Sequence, residues 1–128
     1  MRRPAILIAA LGILIGACGG DDEGSERART VTVKANGTLR VTAKEYSFDP
    51  ARAMVQGAGR LTLTLANKGS LAHNLKLVKD GRQVGGTPAF PGGQTESAVV
   101  NLEHGRYEMV CTVGDHAELG MTGELQVR

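Results

Sequence analysis

The chain has 128 residues, with 15 Lys and Arg against 13 Asp and Glu, two Cys, three His, two Phe, two Tyr and no Trp. That length suits a leader and one domain of about a hundred residues. The near balance of charge excludes a basic nucleic-acid surface and an acidic solvating tail, and the scarcity of aromatics calls for a core of Leu and Val.

Arg2 and Arg3 begin the chain, and the apolar run Ala5–Ile15 follows. The run has the length of a signal-peptide core and is too short to span a bilayer. Ile15-Gly16-Ala17-Cys18 resembles the lipobox of bacterial lipoproteins, in which the signal is cut before the Cys and the Cys is acylated. Residues 1–17 are then a signal peptide, and Cys18 carries the lipid. The alternative is an ordinary secretory signal cleaved nearby. More than one acyl chain on Cys18 is enough for stable membrane anchoring. The mature chain has 13 Lys and Arg once Arg2 and Arg3 are gone, against 13 Asp and Glu, so the apparent basicity belongs to the leader. The protein is expected to be exported, either lipid-anchored at the outer face of the cytoplasmic membrane or in the periplasm.

Gly19–Arg29 reads as a flexible linker of glycines and mixed charges, with no large apolar residue. Fully extended it reaches roughly 40 Å. Residues 30–128 form the domain.

The domain reads as all-β. The strand-like runs are Thr30–Lys34, Thr38–Tyr46, Arg60–Ala66, His73–Val78, Thr95–Leu102, Arg106–Thr112 and Gly123–Val127. Each is short, rich in Val, Leu and Thr, and bounded by Gly, Asn, Asp or Pro. Ala51–Gln56, after the Asp49-Pro50 break, makes an eighth strand. Leu61, Leu63 and Leu65 alternate with Thr62, Thr64 and Ala66, which is the period of a half-buried strand. Seven or eight such strands predict a β-sandwich.

Near the end of the domain, Cys111, His116 and Met121 stand at even spacing, and His73 lies upstream in Leu71-Ala72-His73-Asn74-Leu75. A thiolate, two imidazoles and a weak axial thioether are the donor set of a blue-copper electron-transfer site. Strand parity supports the set. His73 shares parity with Leu71, Leu75 and Leu77, and Cys111 with Met109 and Tyr107, so both point to the apolar face. With Cys18 lipidated, Cys111 has no disulfide partner outside the cytoplasm, where a lone thiol is open to oxidation unless it is buried or metal-bound; His116 and Met121 at this spacing favour the metal over a merely buried Cys. Gly114 and Gly120 allow tight turns between the ligands. His104, before the turn residue Gly105, reads as a surface turn residue.

Three segments carry a family resemblance. They are the Cys-x4-His-x4-Met loop with its flanking strands, Tyr46-Ser47-Phe48-Asp49-Pro50, and Asn67 through Leu75. Together they are similar to the plastocyanin/azurin family of cupredoxins, over roughly residues 38–128. The resemblance implies a Greek-key β-sandwich with one copper held near one end. His73, Cys111 and His116 are then the equatorial ligands and Met121 the long axial one. Asn74 matches the residue whose backbone amide and side chain steady the copper-binding loop and the Cys sulfur. Many relatives carry Pro-Gly before the loop His, where this chain has Gly114-Asp115. That departure leaves the ligands alone and bears on loop stiffness and partner choice.

A multicopper oxidase needs more His than three. A Cys-His hydrolase built on Cys111 and His116 has no use for Met121 or His73. The chain carries no signature of a substrate pocket, so it is read as a binding protein and not an enzyme. It is expected to shuttle single electrons, copper cycling between Cu(I) and Cu(II), among redox proteins of the cell envelope. The alternative function is a lipoprotein that delivers or buffers copper.

Overall fold

The computed structural model describes residues 29–128. The leader, Cys18 and the linker up to residue 28 lie outside the described residues. No helix among the described residues is long and apolar enough to cross a membrane.

Ten strands follow in order: β1 (Thr30–Lys34), β2 (Thr38–Lys44), β3 (Ser47–Asp49), β4 (Arg52–Gln56), β5 (Gly59–Asn67), β6 (Lys76–Lys79), β7 (Arg82–Gly86), β8 (Thr95–Leu102), β9 (Gly105–Val110) and β10 (Thr122–Val127). One sheet has six strands in the order β1-β4-β10-β9-β6-β7, and the other has four in the order β3-β2-β5-β8. Both are mixed: β4 runs parallel to β1 and β10, and β2 runs parallel to β5. This is an all-β, Greek-key-like sandwich.

Alternation builds the core. Leu61, Leu63 and Leu65 of β5 and Leu39, Val41 and Ala43 of β2 face inward from the smaller sheet. Val55, Leu77, Tyr107, Met109, Leu125 and Val127 meet them from the larger one. Each of the Leu, Val and Met side chains among them stabilises the fold by about 1.5–3 kcal/mol relative to exposure. Leu and Val dominate, as the lack of Trp requires. Tyr107 is the one buried tyrosine, and its hydroxyl has partners. It accepts from the Glu103 amide at 2.8 Å and donates to the Glu103 carbonyl at 3.2 Å. This loop-back to a residue just upstream is how tyrosine pins a corner in Greek-key sandwiches.

All eight expected runs contain strands. The count rises to ten because of two short ones. The run Thr38–Tyr46 ends as β2 at Lys44, and the chain returns as β3, pairing Lys44 with Ser47 and Ala43 with Phe48. Three residues are too few to show a period. The other added strand, β7, carries two glycines and an exposed Val84. It is set by the two-residue turn Asp80-Gly81, both at positive φ (50° and 75°), between the paired residues Lys79 and Arg82. Asp-Gly at that point is the type I′ hairpin signal. Gly86 has φ 139°, and a Cβ there would collide with the Leu75 carbonyl.

His73 does not lie in a strand. It makes an isolated bridge with Phe90, and β6 starts at Lys76. The parity reading holds for His73, Leu75 and Leu77, all fully buried, but fails for Leu71, which is exposed before the regular pairing begins.

Candidate metal centre

Three donor atoms converge at one end of the sandwich. His73 Nδ1 lies 3.2 Å from His116 Nδ1, and Cys111 Sγ lies 3.6 Å from His116 Nδ1 and 4.0 Å from His73 Nδ1. All three residues are buried, and they are the only such cluster among the described residues. The point equidistant from the three atoms falls about 2.1 Å from each, close to the lengths of metal bonds to protein nitrogen, about 2.0–2.1 Å, and sulfur, about 2.3 Å. Two imidazoles and a thiol focused on one point suit a soft metal that cycles between two oxidation states. The residues present therefore fit one copper ion.

The loop after β9 supplies two of these donors. Cys111 is a free, fully buried thiol whose amide donates to the Met121 carbonyl at 3.1 Å. The chain then coils through successive turns. The amides of His116, Leu119 and Gly120 donate to the carbonyls of Val113, Asp115 and Ala117. Met121 closes the loop, its amide donating to the His116 carbonyl at 3.0 Å, and its side chain is fully buried. Gly120 sits at φ 110°, which suits glycine. The loop packs against the turn after β2, where the Tyr46 ring meets the His116 ring edge-on at 5.0 Å between centroids.

Asn74 clasps the start of this loop. Its Nδ2 donates to Thr112 Oγ1, and its Oδ1 accepts from the Thr112 amide, both at 2.8 Å. It is buried, not a solvent-facing strand residue. His104 is exposed and remote from the cluster, as expected of a turn residue.

The His73 side is held by polar groups that sequence reading passed over. His73 exchanges backbone hydrogen bonds with Phe90 at 3.1 and 3.2 Å. Asn67 is fully buried. Its Nδ2 donates to the carbonyls of Leu71 (2.9 Å) and Phe90 (3.1 Å), and its Oδ1 accepts from the Gly69 amide (3.0 Å). Fully buried Thr87 accepts from the Leu75 amide through its hydroxyl at 3.0 Å. Glu45, in the turn just after β2, accepts from His73 Nε2 at 3.1 Å. A carboxylate only accepts, so Nε2 carries the proton and Nδ1 keeps its lone pair for the centre. The same oxygen accepts from the amides of Ser70 (2.8 Å) and Leu71 (2.7 Å). These bonds, led by that from Leu71, hold the Glu45 carboxyl down from 4.5 to about 2. Only the folded chain brings Glu45 to the His73 loop, so no local sequence signal marks it.

The profile of copper binding proteins of the plastocyanin/azurin family matches residues 35–128. Among curated proteins none matches significantly. Solved structures do. A reduced auracyanin from Roseiflexus castenholzii aligns with TM-score 0.68 at 20% identity, covering 73% of this chain and 98% of its own. Auracyanin A, a blue copper protein from Chloroflexus aurantiacus, gives 0.65 at 23% identity, over 76% and 99%. Rusticyanin from Thiobacillus ferrooxidans gives 0.62 at 21%, over 77% and 82%. These likenesses establish the shared fold.

Proposed function

Because this chain belongs to the plastocyanin/azurin family of copper binding proteins, we propose that it shuttles single electrons between redox proteins of the cell envelope. His73, Cys111 and His116 would hold one copper ion, with Met121 as the weak axial ligand. The observation that carries this reading is the buried triangle of two imidazole nitrogens and one sulfur. Copper bound there supplies a one-electron couple between Cu(I) and Cu(II).

The protein's part is to keep the donors still. Asn74 fixes Thr112 beside the Cys111 thiol, and the Met121 backbone ties both ends of the loop together. A site held on both sides by hydrogen bonds changes little when its charge changes, so little reorganisation accompanies each transfer. Burial keeps water off the sulfur. His116 is 7% exposed and shares its loop with Leu119, which is 50% exposed. Leu119 offers a partner an apolar contact on the loop that holds the His116 ring edge, with exposed Asp115 and Glu118 as flanking charges. Electrons are expected to pass through that edge.

Ile15-Gly16-Ala17-Cys18 supports the further proposal that the mature protein is lipid-anchored through Cys18. Cys18→Ser should then release it from membranes with no change at the metal site. Retention in the membrane fraction would defeat the anchor.

Adding Cu(II) to the protein and recording its visible spectrum tests the function. An intense blue thiolate-to-copper band is expected, lost in Cys111→Ser while the sandwich stays folded. A variant that stays blue overturns the ligand assignment. Fast electron self-exchange supports the shuttle. Slow exchange, with ready metal transfer to an apo-acceptor, shows delivery or buffering in its place.

A further inference from the structure

The carboxylate of Glu45 is built into the centre from behind. Its Oε1 takes three hydrogen bonds, from the Ser70 and Leu71 amides and from His73 Nε2. The chain around it is shaped to receive it. A Cβ on Gly69 would run into both Glu45 carboxylate oxygens, so the loop gives up a side chain where the carboxylate sits. His73 is fully buried, whereas the Glu45 side chain is 28% exposed, so the charge stands at the rim of the site and reaches inward through one imidazole. The two amides hold that charge by contacts separate from its bond to the ring.

We propose that Glu45 is a positioning residue that biases the metal centre toward Cu(II), through its hydrogen bond to His73. This rests on the copper reading above. A carboxylate accepting from the far ring N–H fixes which nitrogen is free and makes that nitrogen a stronger donor. A stronger donor and a nearby negative charge both favour the ion of higher charge. A purely structural Glu45 would tie the end of β2 to the loop and leave the metal's preference alone.

The test compares wild type with Glu45→Gln and Glu45→Ala. Gln keeps an oxygen acceptor and removes the charge, and Ala removes both. Affinities for Cu(II) and Cu(I), the reduction potential, the thermal midpoint and the ring-nitrogen NMR shifts of His73 in metal-free protein are measured. In Glu45→Gln, affinity for Cu(II) is expected to fall about 10–100-fold relative to Cu(I). Each tenfold raises the potential by about 59 mV. In metal-free Glu45→Ala the His73 shifts should move from a single tautomer with the proton on Nε2 to a mixture. Unchanged potential and unchanged His73 shifts, with only a lower thermal midpoint, would overturn the proposal and leave Glu45 as a tether. A wild type that takes up no copper would overturn both readings. Copper bound by wild type and Glu45→Gln at the same potential would overturn this one alone.

Discussion

His73 and His116 aim the same ring nitrogen at one point, from surroundings of opposite character. His73 is fully buried and polar contacts hold it: a backbone bridge to Phe90, the Asn67 amide spanning Leu71 and Phe90, and the Glu45 carboxylate at its far nitrogen. His116 keeps a small opening to solvent, 7% exposed against none for His73, in a coil of turns that also carries exposed Leu119, with the Tyr46 ring against its edge. One imidazole is anchored and the other is presented. Hydrogen bonds have direction and fix a ring's orientation, whereas apolar packing tolerates a neighbour's approach. The difference assigns stability and metal preference to the His73 side and exchange with partners to the His116 side.

Asn67→Ala should have the largest effect, because it strikes the anchored side. It removes three hydrogen bonds from a fully buried side chain, to the Leu71 and Phe90 carbonyls and from the Gly69 amide, at about 0.5–1.5 kcal/mol each. Chemical denaturation of the metal-free variant should show a clearly lower midpoint. A midpoint equal to wild type would mean that the His73 side is held by packing after all.

Met121→Leu sharpens the contrast from the presented side. Leu fills similar volume without donating, so copper should stay and the potential should rise by at least about 59 mV, a tenfold shift toward Cu(I). Loss of all copper binding from a folded variant would make Met121 a principal ligand.

Leu119→Glu should leave stability within about 0.5 kcal/mol of wild type. Self-exchange brings two copies of the same surface together, so a third acidic charge beside exposed Asp115 and Glu118 should slow it by about tenfold or more. An unaffected rate, read from line broadening in mixed oxidation states, would place the electron path elsewhere.

The smallest effect is in acid. The Glu45 carboxyl is depressed from 4.5 to about 2 in the folded protein, so the unfolded chain binds the proton more readily. The stability this group contributes is complete above the unfolded value and is lost as pH falls from about 5 toward about 2. Metal-free Glu45→Gln should therefore lose less stability than wild type over that range. Parallel acid limbs would show that the carboxylate is not held as described.

The presented side was the more legible of the two. Cys111, His116 and Met121 lie within one loop, and their spacing alone brings them together. His73 was named as the imidazole that completes the donor set and was supported by the parity it shares with Leu75 and Leu77, although it precedes the strand it was assigned to. Its supports were not legible. Glu45 looks like any charged residue at a strand end, and Asn67 like any turn residue. Their roles arise only when the turn after β2 and the loops on either side of His73 meet. The same reason hid β3, whose three residues carry no period. β7 was a different case, for Asp80-Gly81 marked its hairpin locally and the glycines of the strand obscured it.

The placement of β10 has a consequence for how the protein comes into being. Thr122–Val127 follows every other strand in sequence, yet it lies inside the six-stranded sheet, between β4 and β9. Until it arrives, both neighbours expose unpaired edges that can capture strands of other chains. During synthesis the sheet cannot knit progressively from the first strand. It must wait for the last, and a chain stalled before Thr122 is a hazard to its neighbours. Such distant pairing belongs to domains that fold in about milliseconds to seconds.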